Sequence, residues 1–292
     1  MKKVSLIGAR GYIGKHLEWY LMQKGYDVFS YDIIEDDTPN YIRCDVSKRE
    51  EFDNVNLDVD FVYMFAGLTG TRVGFDKYEA FTQINEVGLN HLLDAIKSSP
   101  YRPQVIFPSS RLVYKGSEKA LLEDDEKESK TIYAVNKLAC ENLLYAYSNF
   151  YDIPYTVFRL CVPFGNMLAK DYSFGTVGFF IKQAQTNGNI TLYGDGRIRR
   201  TFTSMEDICL QIEMAAGCSE SKNQVFNLGG QVLSLGEAAT IIAEKFNAIV
   251  TYIPFPEVDA KIESGSTYFN SGKIEKLTKI TDYQTVENLF EK

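Results

Sequence analysis

Apolar positions along this chain switch repeatedly between two periods. Residues 4–7 form a short apolar run, a glycine-rich turn follows, and Ile13, Leu17 and Leu21 recur at helical spacing until Gly25 stops the helix. Residues 27–31 then read as a second strand. The same alternation predicts strands at 40–44, 61–65, 104–107 and 155–160, with helices near 80–98 and 133–150. Strands separated by helices imply an α/β fold of the Rossmann type, a doubly wound parallel sheet with right-handed crossovers. From residue 165 to 196 the chain is rich in aromatic residues, Gly and Asn and lacks regular alternation, which marks the start of a smaller mixed α/β lobe. A strand at 224–228 returns to the main sheet. The expected division is therefore 1–165, with a return at about 205–230, for the first lobe, and 166–204 with 231–292 for the second. No internal repeat or low-complexity segment is present.

Composition narrows the class. A chain of 292 residues, 45% hydrophobic, buries a large core, and its formal net charge of −8 argues against nucleic acid or an anionic membrane surface as partner. The opening Met1-Lys2-Lys3 leads into too short an apolar run for a secretion signal or a membrane span, so the expected location is cytoplasmic. Five cysteines, without a Cys-x-x-Cys pair, fit reduced core thiols. The two histidines, His16 and His91, lie far apart in helical patterns and read as structural, which leaves no zinc site and no histidine-based hydrolase. The acidic run 118–128 reads as a solvated loop.

Chemistry enters at the first turn. Gly8, Gly11 and Gly14, directly after a strand, let backbone amides approach a pyrophosphate at a helix N-terminus. Asp32 ends the second strand, where a carboxylate accepts both ribose hydroxyls and repels a 2′-phosphate, so NAD is favoured over NADP. Arg10, inside the loop, pulls the other way, because a guanidinium there can pair with a 2′-phosphate. Tyr133 and Lys137 are four apart and share a helix face. Tyr20 and Lys24 have the same spacing in a helix where no chemistry is expected, so spacing alone proves little. Setting distinguishes Tyr133: it opens a helix after residues 107–114, where a buried strand ends in the hydroxyls of Ser109 and Ser110.

With these residues the chain resembles the extended short-chain dehydrogenase/reductases, in particular the NAD-dependent nucleotide-sugar epimerase/dehydratase family. The resemblance runs through the glycine loop, Cys44-Asp45-Val46, Phe65-Ala66-Gly67, Asn85, Ser-Ser-x-x-Val-Tyr at 109–114, Tyr133-x-x-x-Lys137, residues 159–165, 192–197, 200–202 and 206–207, and Phe226-Asn-Leu-Gly229. It implies a catalytic Ser110, Tyr133 and Lys137, with Tyr133 taking the proton of a sugar hydroxyl, Ser110 holding the same oxygen, and Lys137 stabilising the phenolate and binding the nicotinamide ribose. Its implied cofactor contacts are Gly8, Arg10, Gly11, Tyr12, Ile13, Gly14, Asp32, Asp45, Val46, Phe65, Ala66, Gly67, Asn85, Tyr133, Lys137 and Pro163. For a nucleotide-diphosphate sugar it implies Arg200 on the diphosphate, Asn166, Phe179, Leu192 and Tyr193 about the base, and Thr69 and Arg111 toward the sugar. Arg197 and Arg199 read as solvent-facing.

Departures from the family's motifs narrow the reaction. Arg111 and Leu112 stand where 4,6-dehydratases carry an Asp-Glu pair, which argues against dehydration. Leu112 also replaces the Cys of the GDP-fucose synthases, and no histidine lies in the second half. Two readings remain: a 4-epimerase that recycles bound NAD, favoured by Asp32, and an NAD(P)H-dependent 4-keto-sugar reductase, kept open by Arg10. Val162 and the Arg-free segment 257–268 depart from common UDP-hexose epimerases. A non-catalytic, cofactor-sensing role is a third class, disfavoured by the complete Ser-Tyr-Lys set. The resemblance further implies a homodimer formed through residues 89–96 and 138–147.

Overall fold

A computed structural model describes residues 1–168 and 174–291. Its strands are β1 (Lys3–Ile7), β2 (Asp27–Asp32), β3 (Tyr41–Arg43), β4 (Phe61–Met64), β5 (Gln104–Ser110), β6 (Tyr155–Leu160), β7 (Val162–Phe164), β8 (Asn189–Tyr193), β9 (Arg199–Ser204), β10 (Gln224–Asn227), β11 (Gln231–Ser234) and β12 (Ile249–Ile253). Seven of them form one sheet in the order β10-β6-β5-β4-β1-β2-β3, and every neighbouring pair is parallel. The strand at 224–227 does return to this sheet, against β6.

Strand period two sorts the core into two faces. Val4, Leu6, Ile106 and Phe158 point to a layer built from the helices Tyr12–Gln23 and Met205–Ala216. Ile7, Val62, Val105 and Val157 point the other way, against the helices Gly88–Ser98 and Ile132–Tyr151. β5 is buried along its whole length, as a central parallel strand must be. Gly25 ends the first helix at φ +80°, a conformation that Cβ-bearing residues disfavour.

The region from residue 165 to 196 is more regular than its sequence suggests. The stretch without visible period contains the helix Gly175–Asn187 and β8, and Val177, Phe180, Ile181 and Ala184 supply the buried stripe of that helix. The exposed Phe179 between them blurs the pattern. The helix expected at 80–98 runs from Tyr78 to Ser98, with a π-turn at Gln83–Val87 between its α-helical stretches Tyr78–Thr82 and Gly88–Ser98. In the helix around residues 89–96, Leu89, Leu92, Leu93 and Ile96 face the core, and the exposed apolar positions on the helix Ile132–Tyr151 are Val135, Tyr145 and Phe150. A third core, with Val162, Phe164, Val177, Phe202 and Ile242, joins β7, β9, the helix Gly175–Asn187 and the helix Leu235–Phe246. Among the described residues no helix is long and apolar enough to cross a membrane, and no group of side chains is arranged to hold a metal ion.

Candidate active site

The carboxyl ends of β1, β4, β5 and β6 surround a cavity of about 440 Å³. Its wall includes Gly11 to Gly14 after β1, Phe65 and Gly67 to Thr71 after β4, Pro108 to Ser110 and Leu112 at β5, and Leu160, Cys161 and Pro163 after β6. Tyr133, Lys137 and Phe174 complete it. Parallel sheets place ligands at this edge because helix N-termini and loops converge there.

The first loop is shaped for close approach. Gly8 lies at φ +92°, its amide donates to the Tyr31 carbonyl at 2.7 Å, and a Cβ there would stand 2.3 Å from the Ala66 nitrogen. A Cβ on Gly14 would stand 2.0 Å from the Gly8 carbonyl oxygen. Gly11 caps the first helix without a side-chain hydrogen bond, so no capping side chain closes the helix N-terminus to an anion. Gly14→Ala should therefore cost on the order of 1–3 kcal/mol of stability, since backbone has to move. Urea denaturation checks this, and an unchanged midpoint contradicts it.

The second wall is held from behind. Asn85, buried on the π-turn, accepts from the Leu68 amide at 2.8 Å and donates to the Leu68 carbonyl at 3.1 Å. It fixes the loop after β4 from behind and is not among the residues that line the cavity. Asp45 accepts the Ser47 amide and hydroxyl at 3.0 and 2.7 Å, Val46 packs beneath Gly88, and Ala66 shields Gly8. None of the three lines this cavity.

Ser110 ends β5, and its hydroxyl accepts the Leu112 amide at 3.2 Å, so the chain turns into the cavity wall there. Thr131 caps the next helix by accepting the Ala134 amide at 3.1 Å, which sets Tyr133 in the first turn and Lys137 one turn on. The Tyr133 phenol hydrogen-bonds Ser110. Burial pushes the phenol up to about 12, and the Ser110 contact only partly offsets this. Lys137 donates to the Pro108 carbonyl at 2.7 Å and sits 4.4 Å from the Phe107 ring centre and 5.7 Å from that of Tyr133. Burial brings its ammonium down to about 8. In the structure Ser110 is the hydrogen-bond partner of the phenol, while the Lys137 ammonium is held by a backbone carbonyl close to the Tyr133 ring.

Several expected contacts lie elsewhere. Arg200, 2% exposed, donates to the carbonyls of Arg199 and Gly265 at 3.0 and 2.6 Å and to Glu263 at 2.8 Å. It ties β9 to residues 263–267 because a buried guanidinium requires partners, and burial, with Arg111 nearby, lowers it to about 10. Arg111 donates to the Thr267 hydroxyl at 3.0 Å. Leu192 belongs to the third core, whereas Phe179 and Tyr193 are exposed. Asn166 accepts the Leu168 amide at 2.9 Å and meets His16 Nε2 at 2.9 Å, which links it to the glycine-loop helix. Thr69 does line the cavity, as does Leu112, which the sequence marked only as a departure from related enzymes, and so do Leu68, Cys161 and Phe174, which sequence reasoning did not single out. For Leu68 the signal was present in the Gly-x-x-Gly stretch after β4.

Asp32 accepts two amides, from Arg10 and Ile33, each at 2.8 Å. The Arg10 guanidinium points away to Asp36 at 2.5 Å and Glu18 at 2.7 Å. It is engaged with carboxylates rather than presented to a ligand.

Residues 4–229 match the model of the NAD-dependent epimerase/dehydratase family. A Bacillus subtilis protein named as an uncharacterized UDP-glucose epimerase, YtcB, is 26% identical over 246 residues, covering 78% of this chain and 77% of its own. A UDP-N-acetyl-alpha-D-glucosaminuronate decarboxylase of Bacillus cytotoxicus is 25% identical over 279 residues, 88% and 85% of the two chains. In fold, Pal from Bacillus thuringiensis superposes with a TM-score of 0.86 at 22% identity, covering 98% of this chain and 95% of its own. UDP-glucuronic acid 4-epimerase from Bacillus cereus, solved with UDP-glucuronic acid and NAD, gives 0.82 at 20% identity, covering 99% and 96%.

Proposed function

The chain belongs to the NAD-dependent epimerase/dehydratase family, and from that premise we propose that it is a nucleotide-sugar 4-epimerase working through Ser110, Tyr133 and Lys137. The observation that carries the reading is the single cavity shared by the glycine loop and these three side chains. The residues fit a dinucleotide: Gly8 and Gly14 let the loop fold tightly on itself and against residues 65–66, no side chain caps the N-terminus of the first helix, and Asp32 stands at the end of β2.

NAD, when bound, supplies a reversible hydride acceptor for the sugar C4. The protein's part is proton handling and positioning. Tyr133 exchanges the proton of the C4 hydroxyl, and Ser110 holds that oxygen through its hydroxyl. Lys137 supplies positive charge beneath the ring of Tyr133, where it favours the phenolate once the site loses water. Thr69 and Leu112 lie where the sugar ring would sit against the cavity wall. Arg111 and Arg200 place positive charge on the side of Cys161 and suit an anionic part of the substrate, with Glu263 holding Arg200 in the meantime. The 4-keto-sugar reductase loses its main support, because the guanidinium of Arg10 is paired. A homodimer through the exposed face of the helix Ile132–Tyr151, at Val135 and Tyr145, belongs to the same proposal.

Relatives named for UDP-glucose and UDP-glucuronate direct the test. The purified chain is incubated with each nucleotide sugar in D₂O and followed by NMR. The expected result is a C4 epimer without deuterium at any ring carbon, since the C4 hydrogen never enters solvent. Deuterium beside C4 contradicts the reading and points to enolisation.

A further inference from the structure

Arg10 is held by more than a loose surface pair. Its backbone amide donates to Asp32 Oδ2 at 2.8 Å, so the residue is anchored at the carboxylate that faces the ribose in the proposed site. Its side chain leaves that point and is gripped on three sides. Nε donates to Asp36 Oδ2 at 2.5 Å, Nη1 donates to Glu18 Oε2 at 2.7 Å, and the guanidinium carbon lies 4.5 Å from the Tyr41 ring centre. The three charged side chains are only 15–26% exposed, well beyond the range of loose surface pairs.

The partners are themselves fixed. Glu18 Oε1 accepts the Ser30 hydroxyl at 2.5 Å, Asp36 Oδ1 accepts the Thr38 amide at 2.8 Å as well as the Thr38 hydroxyl, and the Tyr41 hydroxyl donates to the carbonyls of Asp32 and Ile34. Arg43, opposite Asp32 in the strand register, is likewise met by Glu35 at 3.2 Å and Glu51 at 3.4 Å.

We propose that Asp36 and Glu18 determine cofactor selectivity by withholding Arg10 from the adenosine end of the site, so that the loop arginine excludes a 2′-phosphate instead of binding one. This rests on the reading that a nicotinamide dinucleotide occupies the glycine loop. Asp36 and Glu18 bring two negative charges to the guanidinium, and Asp32 adds a third at the backbone of the same residue. A 2′-phosphate entering there meets repulsion and has to break two charge-assisted pairs before it gains its own. The 2′-hydroxyl of NAD needs only the free lone pairs of Asp32. Asp36 and Glu18 are positioning residues, since they act through Arg10 and touch no cofactor atom themselves.

Dissociation constants for NAD and NADP, measured by calorimetry on the full chain after removal of co-purified nucleotide, test this. Asp36→Asn combined with Glu18→Gln should narrow the NADP-to-NAD ratio by about tenfold, the gain expected from one freed guanidinium. Adding Arg10→Ala should return the ratio to the wild-type value, and Asp36→Glu alone should preserve it. If the double variant does not fold, Asp36→Asn, at the more exposed of the two carboxylates, carries the same readout. An unchanged ratio in a folded variant that still binds NAD overturns the inference alone. A wild-type chain that binds neither dinucleotide overturns the underlying reading of the glycine loop.

Discussion

Tyr133→Phe is expected to lower epimerisation by roughly 10²–10⁴-fold, the range of a lost proton-transfer group, while NAD remains bound. The substitution keeps the ring that lies 5.7 Å from the Lys137 ammonium and removes only the hydroxyl that meets Ser110. The glycine loop is held by its own backbone hydrogen bonds and by close packing against residues 65–66, which the substitution leaves unchanged. At neutral pH the phenol, raised to about 12, keeps its proton in the structure described here, so a change of charge distribution on ligand binding is needed before it acts as a base. Turnover by NMR and bound NAD by chromatography of the denatured protein check the two halves separately. Turnover near the wild-type rate, or equal loss of cofactor and activity, means that another residue handles the proton.

The second large effect concerns the frame behind the site. Glu141 lies one turn beyond Lys137 and is 8% exposed; it accepts the Ser109 hydroxyl at 2.5 Å and the Arg159 guanidinium at 2.5 and 3.0 Å. Arg159, 4% exposed, also donates to the Tyr114 hydroxyl and the Glu123 carbonyl, each at 2.6 Å, and Tyr114 donates to Asn227 at 2.7 Å. One ion pair thus ties β5, β6, β10 and the Tyr133 helix together beside Ser110. Glu141→Ala leaves a buried guanidinium without its carboxylate and should cost about 3–5 kcal/mol. Glu141→Leu with Arg159→Met removes both charges and should recover most of that loss. Urea denaturation measures both. A Glu141→Ala cost below about 1 kcal/mol contradicts the assigned role, since that is the size of an exposed pair.

What was legible in the sequence was what is written locally. β1, the glycine turn and the first helix follow from residues within one turn of each other, and Tyr133 with Lys137 follows from helical spacing after a strand that ends in hydroxyls. The pairings of charged groups were not legible. Arg10 finds Asp36 across 26 positions and Arg200 finds Glu263 across 63, and no local pattern announces which carboxylate a buried guanidinium meets. Asn85 was read as a contact because its position matched a motif, whereas its amide satisfies both backbone groups of Leu68. The helix Gly175–Asn187 was missed because its buried stripe is interrupted by the exposed Phe179. In each case tertiary partners decided what residue type alone left open.

The central claim is that the glycine loop and Ser110, Tyr133 and Lys137 form one redox-neutral epimerase site. Its most direct test is to denature the purified protein, identify and quantify the released nucleotide, and ask whether a UDP-sugar interconverts without added NAD(P)H. The account predicts NAD near one per chain and epimerisation with no external reductant. Obligatory consumption of NADPH, with no NAD released, would contradict it.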